Sequence, residues 1–366
     1  MKIAFSPTIF RVQREGGISR YFYQLITGSL LRGNQVFLSQ NAPDGKYLQL
    51  LKEANVDFGS ERKSPWSTLM SDERNPFGWT PKSLHKWDPE IIHETFFSAK
   101  WFRSGPKKAK RVLTVYDLIQ EKLEITTQTR SRKLQALELA DHVICISKST
   151  QNDLVEYYNF PMERTSVIYL APFPLINTRN LPTPIELEKI GRYFLFVGLR
   201  DGYKNFRIVL DAFSKLSDTF PDYKILAFGG GHFSEAEVEI LKRHNLIHKV
   251  IHITGSDDLL AHAYNKAVAL IYPSVWEGFG MPPLEALAAG TSVISSNCES
   301  LIEVLSDEDV LFFDPLSSLD LAEKMTVAIT SELTKGKGKT SESMKQSKYS
   351  WENCIDETLK LYRSLL

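Results

Sequence analysis

Residues 274–285 are Ser274-Val275-Trp276-Glu277-Gly278-Phe279-Gly280-Met281-Pro282-Pro283-Leu284-Glu285, and this stretch joins a predicted strand to a predicted helix. The apolar run before it, residues 267–272, indicates a buried strand. The run after it, residues 284–289, consists of strong helix formers and ends at Gly290. Prolines are tolerated in a first helical turn. The stretch therefore predicts a strand–turn–helix unit of an α/β sheet.

The same stretch carries groups that suit a sugar phosphate. Glycines at 278 and 280 let the backbone approach a ligand closely. The N–H groups at a helix start attract anions. Glu277 and Glu285 lie eight positions apart, and carboxylates accept hydrogen bonds from sugar and ribose hydroxyls. The pattern predicts a site for an anion that also carries hydroxyl groups.

Length and composition limit the classes that are open. With 366 residues, two domains are expected, and 43% hydrophobic and 24% charged residues are typical of a soluble globular protein. Lys plus Arg equals Asp plus Glu at 44 each, so no global field favours nucleic acid. Cys145, Cys298 and Cys354 lack metal-ligand spacing and indicate reduced thiols. Residues 1–10 lack the apolar core of a signal peptide, and no apolar run is long enough to span a membrane. A cytoplasmic location is expected.

Strands and helices alternate in both halves of the chain. Residues 2–5, 18–31 and 36–38 predict a strand, a helix and a strand, and the alternation restarts at residue 193 after a stretch rich in proline and asparagine. This rhythm predicts two Rossmann-like, doubly wound parallel-sheet domains. The expected boundaries are 1–172 and 191–347, with a linker at 173–190. The amphipathic helix at 348–366 is expected to pack back on the first domain.

Several predicted strand ends carry residues suited to ligand binding. In the second half, Gly198 precedes Arg200 and Lys204, a planar fork and a point charge that suit a diphosphate. Gly230 and the pair Gly255-Ser256 follow the next two strands. In the first half the corresponding positions are Gly16, Gly17, His93, Tyr116 and Asp117. Ordinary turns and a packed histidine are the structural alternatives.

Other signals are absent or weak. The sequence has no Gly-x-Gly-x-x-Gly after its first strand, no P-loop and no Gly-x-Ser-x-Gly elbow. Asp307-Glu308-Asp309 follows no predicted strand and indicates a solvated turn, so no metal is implied. Residues 57–87 indicate a long functional loop. The basic groups at 107–111 and at Arg130, Arg132 and Lys133 indicate solvated faces, although they would also allow weak peripheral contact with an anionic membrane.

These motifs resemble the retaining glycosyltransferases of the group 1 family, also called family four, which have the GT-B fold with two domains facing a central cleft. The resemblance covers nearly the whole chain and is most specific in the Glu-x7-Glu block from Glu277 to Glu285. It implies that Glu277 faces the transferred sugar and Glu285 the ribose. Gly278 and Pro282 belong to the same donor-binding block, in which backbone N–H groups of Phe279, Gly280 and Met281 face the sugar and phosphate. Arg200 and Lys204 would hold the leaving diphosphate.

The first domain is then the acceptor side, with residues 57–87 as an acceptor-side insertion. Many relatives carry His where this chain has Tyr116, next to Asp117. Tyrosine cannot act as a cation, so that role does not transfer to Tyr116, and His93 or a backbone carbonyl would supply the polar contact.

The sequence around these motifs is most similar to that of polysaccharide and lipopolysaccharide mannosyltransferases. It implies a metal-independent enzyme that needs no cofactor, moving a hexose from a nucleotide sugar, GDP-mannose above others, to a glycan or lipid-linked saccharide. The expected location is cytoplasmic, with peripheral contact at the inner membrane face. The alternatives are a UDP-sugar-dependent transferase and a sugar-nucleotide 2-epimerase of the same fold. A non-catalytic nucleotide-sugar-binding homologue is disfavoured because all four charged residues of the motifs are present, namely Arg200, Lys204, Glu277 and Glu285.

Overall fold

The computed structural model describes residues 1–13, 16–38, 45–54, 56, 81–125, 128–173, 176, 178, 181–335 and 348–366, with the backbone alone at 81–83, 128–129 and 333–335. The chain divides into two compact units: unit 1 is Met1–Leu170 with Lys348–Leu366, and unit 2 is Ala171–Ser347. Each unit holds one six-stranded sheet. The prediction of two doubly wound parallel sheets is confirmed. No helix among the described residues has both the length and the apolar composition needed to cross a membrane.

Unit 1 alternates short buried strands with helices. Its strands are β1 (Lys2–Phe5), β2 (Gln35–Leu38), β3 (Ile91–Glu94), β4 (Lys110–Val115), β5 (His142–Cys145) and β6 (Thr165–Val167). Its helices are α1 (Thr8–Val12), α2 (Gly17–Leu31), α3 (Lys46–Glu53), α4 (Pro81–Trp87), α5 (Ala99–Ser104), α6 (Ile119–Lys122), α7 (Gln128–Leu139) and α8 (Lys148–Tyr158). The strand order is β2-β1-β3-β4-β5-β6, with every neighbouring pair parallel. Most of the predicted loop at 57–87 lies outside the described residues, and its last seven residues form α4.

Unit 2 repeats the same construction. Its strands are β7 (Arg192–Val197), β8 (Tyr223–Phe228), β9 (Val250–Ile253), β10 (Ala269–Tyr272), β11 (Ser292–Ser296) and β12 (Val310–Phe313). Its helices are α9 (Ile185–Glu188), α10 (Phe206–Ser214), α11 (Glu235–Arg243), α12 (Asp257–Lys266), α13 (Met281–Ala289), α14 (Glu299–Leu305) and α15 (Ser318–Lys335). The order is β12-β11-β10-β7-β8-β9, again parallel throughout. Apolar side chains of β7, β8 and α10 form much of its core.

Each sheet reverses its strand order at one place. In unit 1 the reversal lies between β1 and β3, and in unit 2 it lies between β7 and β10. Loops leave the sheet in opposite directions at such a switch point, which opens a crevice at the carboxyl ends of the two strands. The loops after β7 and β10 are therefore the first place to look for a ligand site in unit 2.

The last helix, α16 (Trp351–Leu365), belongs to unit 1. It packs on α2, where a Cβ atom at Gly28 would lie 2.3 Å from Ile355 Cδ1. Glycine at position 28 therefore permits the close approach of the two helices. Tyr362 of α16 reaches the ring of His93 in β3, and Arg32 after α2 is paired with Asp356.

Candidate active site

The loops after β7 and β10 are fastened to each other at the switch point of unit 2. Asn205 has a left-handed backbone (φ 57°), and its side-chain amide donates to the carbonyl oxygens of Pro273 (3.2 Å) and Pro315 (2.8 Å). The backbone N–H of Val275 donates to the carbonyl of Tyr203 (2.8 Å). These bonds hold residues 198–205 and 273–280 in a fixed mutual position.

A cation and a carboxylate meet in this pair of loops. Lys204 Nζ lies 2.6 Å from Glu277 Oε1, and the hydroxyl of Tyr272 donates to the same oxygen at 2.7 Å. The side chains of Lys204 and Glu277 are 20% and 10% exposed, so both remain within reach of solvent. Burial, followed by the neighbouring Glu277 charge, raises the pKa of Tyr272. The tyrosine is therefore a neutral donor that orients the carboxylate.

The start of α13 lies next to this pair. Gly280 adopts φ 95°, and a Cβ atom there would lie 2.4 Å from Leu301 Cδ2, so both backbone and packing require glycine. Pro282 and Pro283 remove two of the first three helical N–H groups, which leaves that of Met281. The Ser300 hydroxyl donates to the carbonyl of Glu277 at 2.7 Å. The turn is thus rigid and presents a small number of donors.

Glu285 lies one turn further along α13 and is 5% exposed. Its Oε2 accepts a hydrogen bond from the hydroxyl of Tyr264 on α12 at 3.0 Å. This contact orients the carboxylate within the helix layer. Its expected contact with a ribose stays a prediction.

The structure separates the two cations that the sequence groups together. Arg200 Nε donates to Glu237 Oε1 at 2.7 Å, and its terminal nitrogens donate to the carbonyls of Gly229, Gly231 and His232, each at 2.9 Å. The guanidinium therefore braces the turn after β8, whereas Lys204 pairs with Glu277. A direct diphosphate contact for Arg200 stays a prediction, and the geometry supports a positioning role.

The glycines at the other strand ends of unit 2 also shape turns. A Cβ atom at Gly230 would lie 2.6 Å from the carbonyl oxygen of Gly198, and Gly230 has φ 74°, so glycine is required there. Gly255 is followed by Ser256, whose hydroxyl caps α12 by accepting from the N–H of Leu259 at 3.3 Å. Their donor-binding roles stay predictions, because their visible contacts are structural.

At the predicted glycine turn of unit 1, a side chain occupies the start of α2. Gln13 Oε1 accepts from the N–H groups of Ile18 (3.1 Å) and Ser19 (3.2 Å), directly after the glycines whose backbone was expected to approach a ligand. Gly16 is the N-cap residue, and a Cβ atom there would collide with Gln13. A ligand at this turn would have to displace the Gln13 amide.

The expected position of His93 on an accessible rim is corrected by the structure. The ring is fully buried among aromatic side chains, and its nitrogens are bonded to Thr114 Oγ1 (2.8 Å) and to the Tyr362 hydroxyl. Burial lowers the pKa of His93 to about 3, so the ring is neutral. The sequence could not show this because Tyr362 lies 269 positions away.

Tyr116 and Asp117 do lie at the carboxyl end of β4. The Tyr116 hydroxyl donates to the carbonyl of Thr95 at 3.0 Å, and burial raises its pKa. Asp117 is half-buried, and its Oδ1 accepts from the N–H of Ile119 at 3.2 Å. Their roles toward an acceptor stay predictions.

Lys133 corrects the expectation of a solvated basic face on α7. It is 1% exposed, and its Nζ donates to Glu121 Oε2 (3.0 Å) and to the carbonyl of Asp117 (3.2 Å). Tyr158 donates its hydroxyl to the other oxygen of Glu121. This buried network fixes the segment that carries Asp117.

Sequence reasoning missed several residues that position the site. Glu237 had a detectable signal, since Ser234 three positions earlier forms a capping box with it. Tyr272 could be assigned only as the end of a strand. Its hydroxyl reaches Glu277 because the chain turns back over the strand end.

Comparison with known proteins agrees with this construction. The two six-stranded parallel sheets with their helices form the GT-B fold and match solved glycosyltransferase structures. The model of the group 1 glycosyl transferases matches residues 179–351, and that of glycosyltransferase family 4 matches residues 15–171. The chain belongs to this family, whose members are retaining, metal-independent enzymes.

Curated relatives are distant. The serotype-specific mannosyltransferase WbdA of Escherichia coli is 29% identical over 251 residues, which cover 64% of this chain and 30% of WbdA. O-antigen chain mannosyltransferase B of Escherichia coli is 27% identical over 240 residues, which cover 63% of this chain and 62% of that protein. The matches thus span less than two thirds of these relatives.

Solved structures match over the whole chain. Anabaena HepE in complex with UDP-glucose superimposes with a TM-score of 0.76 at 16% identity and covers 100% of both chains. A glycosyltransferase from Rickettsia africae gives a TM-score of 0.73 at 18% identity and covers 100% of this chain and 98% of its own. At these identities the likeness establishes the fold.

Proposed function

We propose that this chain transfers a hexose, with mannose from GDP-mannose as the favoured donor, to a glycan or lipid-linked saccharide in surface polysaccharide synthesis. The observation that carries the proposal is the Lys204–Glu277 pair at the switch point of unit 2. Family membership supplies the reaction class, and the O-antigen mannosyltransferases among the relatives support the choice of mannose. A cytoplasmic location with peripheral contact at the inner membrane face is part of the proposal.

In the donor complex, the diphosphate takes the place of the Glu277 carboxylate beside Lys204. The N–H of Met281 adds a backbone donor to the same anion. Glu277, released from the lysine but still held by Tyr272, then accepts hydrogen bonds from the sugar hydroxyls. Glu285 accepts from the ribose, and the Gly198 and Gly230 turns bring backbone close to the nucleotide.

The chemistry needs no nucleophile from the protein. The bond from sugar C1 to the diphosphate oxygen breaks with oxocarbenium character, and its electron pair leaves with the nucleoside diphosphate. The acceptor oxygen forms its bond to C1 on the same face, and the departing phosphate takes the acceptor proton, so configuration is retained. Lys204 stabilises the charge that grows on the diphosphate, and such preorganised electrostatics is the largest expected contribution.

Arg200 positions the turn after β8 in this scheme, and its direct contact with the diphosphate stays a prediction. By bonding to three carbonyls of the turn after β8, it fixes the backbone that the Gly230 turn presents. Asp117 and Tyr116 lie on the acceptor side in unit 1, and His93 contributes there through packing and through its bond to Thr114.

A thermal-shift screen with GDP, UDP and ADP, each alone and as its sugar conjugate, tests the donor. Binding to the folded state raises the midpoint by mass action, so GDP and GDP-mannose should give the largest shifts. A larger shift with UDP conjugates would replace the donor and keep the reaction class. Epimerised donor in the absence of an acceptor, seen by NMR, would overturn the transferase assignment in favour of a 2-epimerase.

A further inference from the structure

Unit 1 contains a basic cavity that the proposed donor site does not involve. It has a volume of about 320 Å³ and lies between α5 and α7. Ala99 and six polar or charged residues line it, the latter being Ser98, Lys100, Arg103, Ser131, Arg132 and Gln135. Arg103 Nη2 donates to Gln135 Oε1 across the two helices at 3.5 Å. This hydrogen bond is long and therefore weak, so a stronger acceptor such as a phosphate oxygen would replace Gln135 as the partner of Arg103.

The charge of this lining is of one sign. Three of the lining residues are cations, and none of the described lining residues is a carboxylate. Residues 98–104 and 126–135 contain no Asp or Glu in the sequence, so neither helix can supply an acid to the cavity from these segments. In the other basic cluster of this unit, Lys108 is paired with Asp88 at 2.6 Å.

The chemistry of the lining fits a phosphate. Arg103 and Arg132 offer planar forks of N–H donors that match phosphate oxygens in pairs, and Lys100 adds a point charge. Two serine hydroxyls and an amide complete a set that can donate to several oxygens at once. A volume near 320 Å³ is at the lower end of small-ligand sites, which suits a phosphate or diphosphate with its neighbouring atoms. A concave site of this size favours a discrete group over a flat membrane surface.

We propose that this α5–α7 cavity binds a phosphate or diphosphate group and holds the phosphate of a phosphate-bearing acceptor during transfer. The acceptor part rests on the proposed function, and the phosphate site stands without it. The position supports the link. Because α5 follows β3 and α7 precedes β5, both helices begin at the carboxyl edge of the sheet, where Asp117 also lies.

Calorimetric titration of the full chain with inorganic pyrophosphate tests the site. Lys204→Ala weakens the contact of the donor site with pyrophosphate, and in that background the change in binding caused by further substitutions in the cavity reports the cavity. Adding Arg103→Gln and Arg132→Gln should weaken the remaining binding roughly tenfold or more, since two charge-assisted contacts are lost. The matched control adds Lys107→Gln and Lys108→Gln, which remove the same charge elsewhere on unit 1 and should leave the affinity unchanged.

Three outcomes would overturn the proposal. One is unchanged pyrophosphate binding in the Arg103/Arg132 variant, and another is equal weakening in the control, which would indicate bulk charge. The third is binding to phosphatidylglycerol vesicles that depends on Arg103 and Arg132 while pyrophosphate neither binds nor competes, which would assign the cavity to a membrane surface. Failure of the donor assignment would instead appear as absent GDP shifts with intact pyrophosphate binding at the cavity.

Discussion

The two switch points of this molecule have the same backbone construction, but one carries charged side chains and the other carries neutral ones. In unit 2, the loops after β7 and β10 bring together Lys204 and Glu277, two opposite charges that remain partly exposed. In unit 1, the ends of β1 and β3 bring together Ser6 and Glu94, both fully buried. Ser6 donates to Glu94 Oε1, and in the described part of the chain Glu94 Oε2 is buried without a hydrogen-bond partner.

Burial explains the difference in charge. It raises the pKa of Glu94 to about 8 and lowers that of the adjacent His93 to about 3, so both side chains are neutral near pH 7. The aromatic side chains of α2 and α16 cover this edge of unit 1. The same strand-end position is therefore a site for charge chemistry in one unit and part of a core in the other. Substitutions at this buried strand end of unit 1 should change stability, and those at the Lys204–Glu277 pair of unit 2 should change turnover.

The largest expected effect on stability is at the buried Lys133–Glu121 ion pair of unit 1. Lys133→Met leaves the Glu121 carboxylate buried without its cation and should cost about 3–5 kcal/mol of unfolding free energy. Urea unfolding measures this change. The double variant Lys133→Met with Glu121→Leu removes both charges and should recover most of the loss. If the double variant were as unstable as the single one, packing rather than an unpaired charge would be the cause.

The largest expected effect on turnover is at the charged pair of unit 2. Lys204→Ala should lower kcat by roughly 10²–10³-fold, the typical cost of removing one preorganised group that stabilises transition-state charge. Donor affinity should fall much less, since the cation matters most as the diphosphate leaves. Lys215→Ala, an exposed lysine on the following segment that bonds to the carbonyl of Asp211, is the matched control. An unchanged kcat in Lys204→Ala would remove the basis of the donor-site assignment.

A pH effect of intermediate size is expected from Glu94. Its folded-state pKa of about 8 exceeds the ordinary value of 4.5, so the folded state binds more protons between those pH values. Stability should therefore fall as pH rises from about 5 to 8, with a slope of up to about 1.4 kcal/mol per pH unit from this group. Glu94→Gln removes that slope, and its stability relative to the original chain should increase with pH. Parallel pH profiles for the two proteins would show that Glu94 is not held protonated.

His93 should act in the opposite direction at lower pH. Its folded-state pKa is about 3 against an ordinary 6.5, so the unfolded state binds more protons between those values. Stability should rise with pH across this window and then lose the His93 contribution to the slope above it. In Glu94→Gln, unfolding measured from about pH 4 to 6 should therefore show a rising profile. A flat profile there would mean that His93 titrates at its ordinary pKa.

The smallest effect is expected at the hydroxyl that orients Glu277. Tyr272→Phe removes one hydrogen bond to a carboxylate and should reduce kcat/KM by roughly tenfold, equivalent to about 1.4 kcal/mol. Tyr193→Phe is a matched control, because its buried hydroxyl bonds to the carbonyl of Ala263 elsewhere in unit 2. Equal losses of activity in the two variants would indicate a general effect on folding.

The fold was predictable to a large extent because the local pattern and the global architecture agree. Short apolar runs followed by glycine turns and helices specified parallel sheets, and residues 2–5 were assigned with their observed bounds. Short helices were missed where the sequence has no sustained period. Helix α1 follows Pro7 directly and has five residues, too few for an apolar stripe to show.

Two of the predicted site residues, Lys204 and Glu277, meet in the structure, whereas the contacts of the other predicted residues differ from those expected or stay predictions. The Glu-x7-Glu spacing located Glu277, and the loop before α10 located Lys204. What the sequence could not show is which cation meets which acid. Arg200 turns to Glu237 and the carbonyls after β8, because those groups come from the neighbouring strand rather than from the same loop. His93 and Lys133 were misplaced for the same reason, since distant segments of the chain bury them.

Hydrolysis of GDP-mannose without an acceptor, followed by proton NMR, tests the central claim most directly. A retaining site at Lys204 and Glu277 should release the α anomer of mannose first, before it equilibrates in solution, together with GDP. Lys204→Ala should slow this release by roughly 10²–10³-fold, whereas Lys215→Ala should not change it. Release of the β anomer first, or an equal rate in Lys204→Ala, would contradict the account.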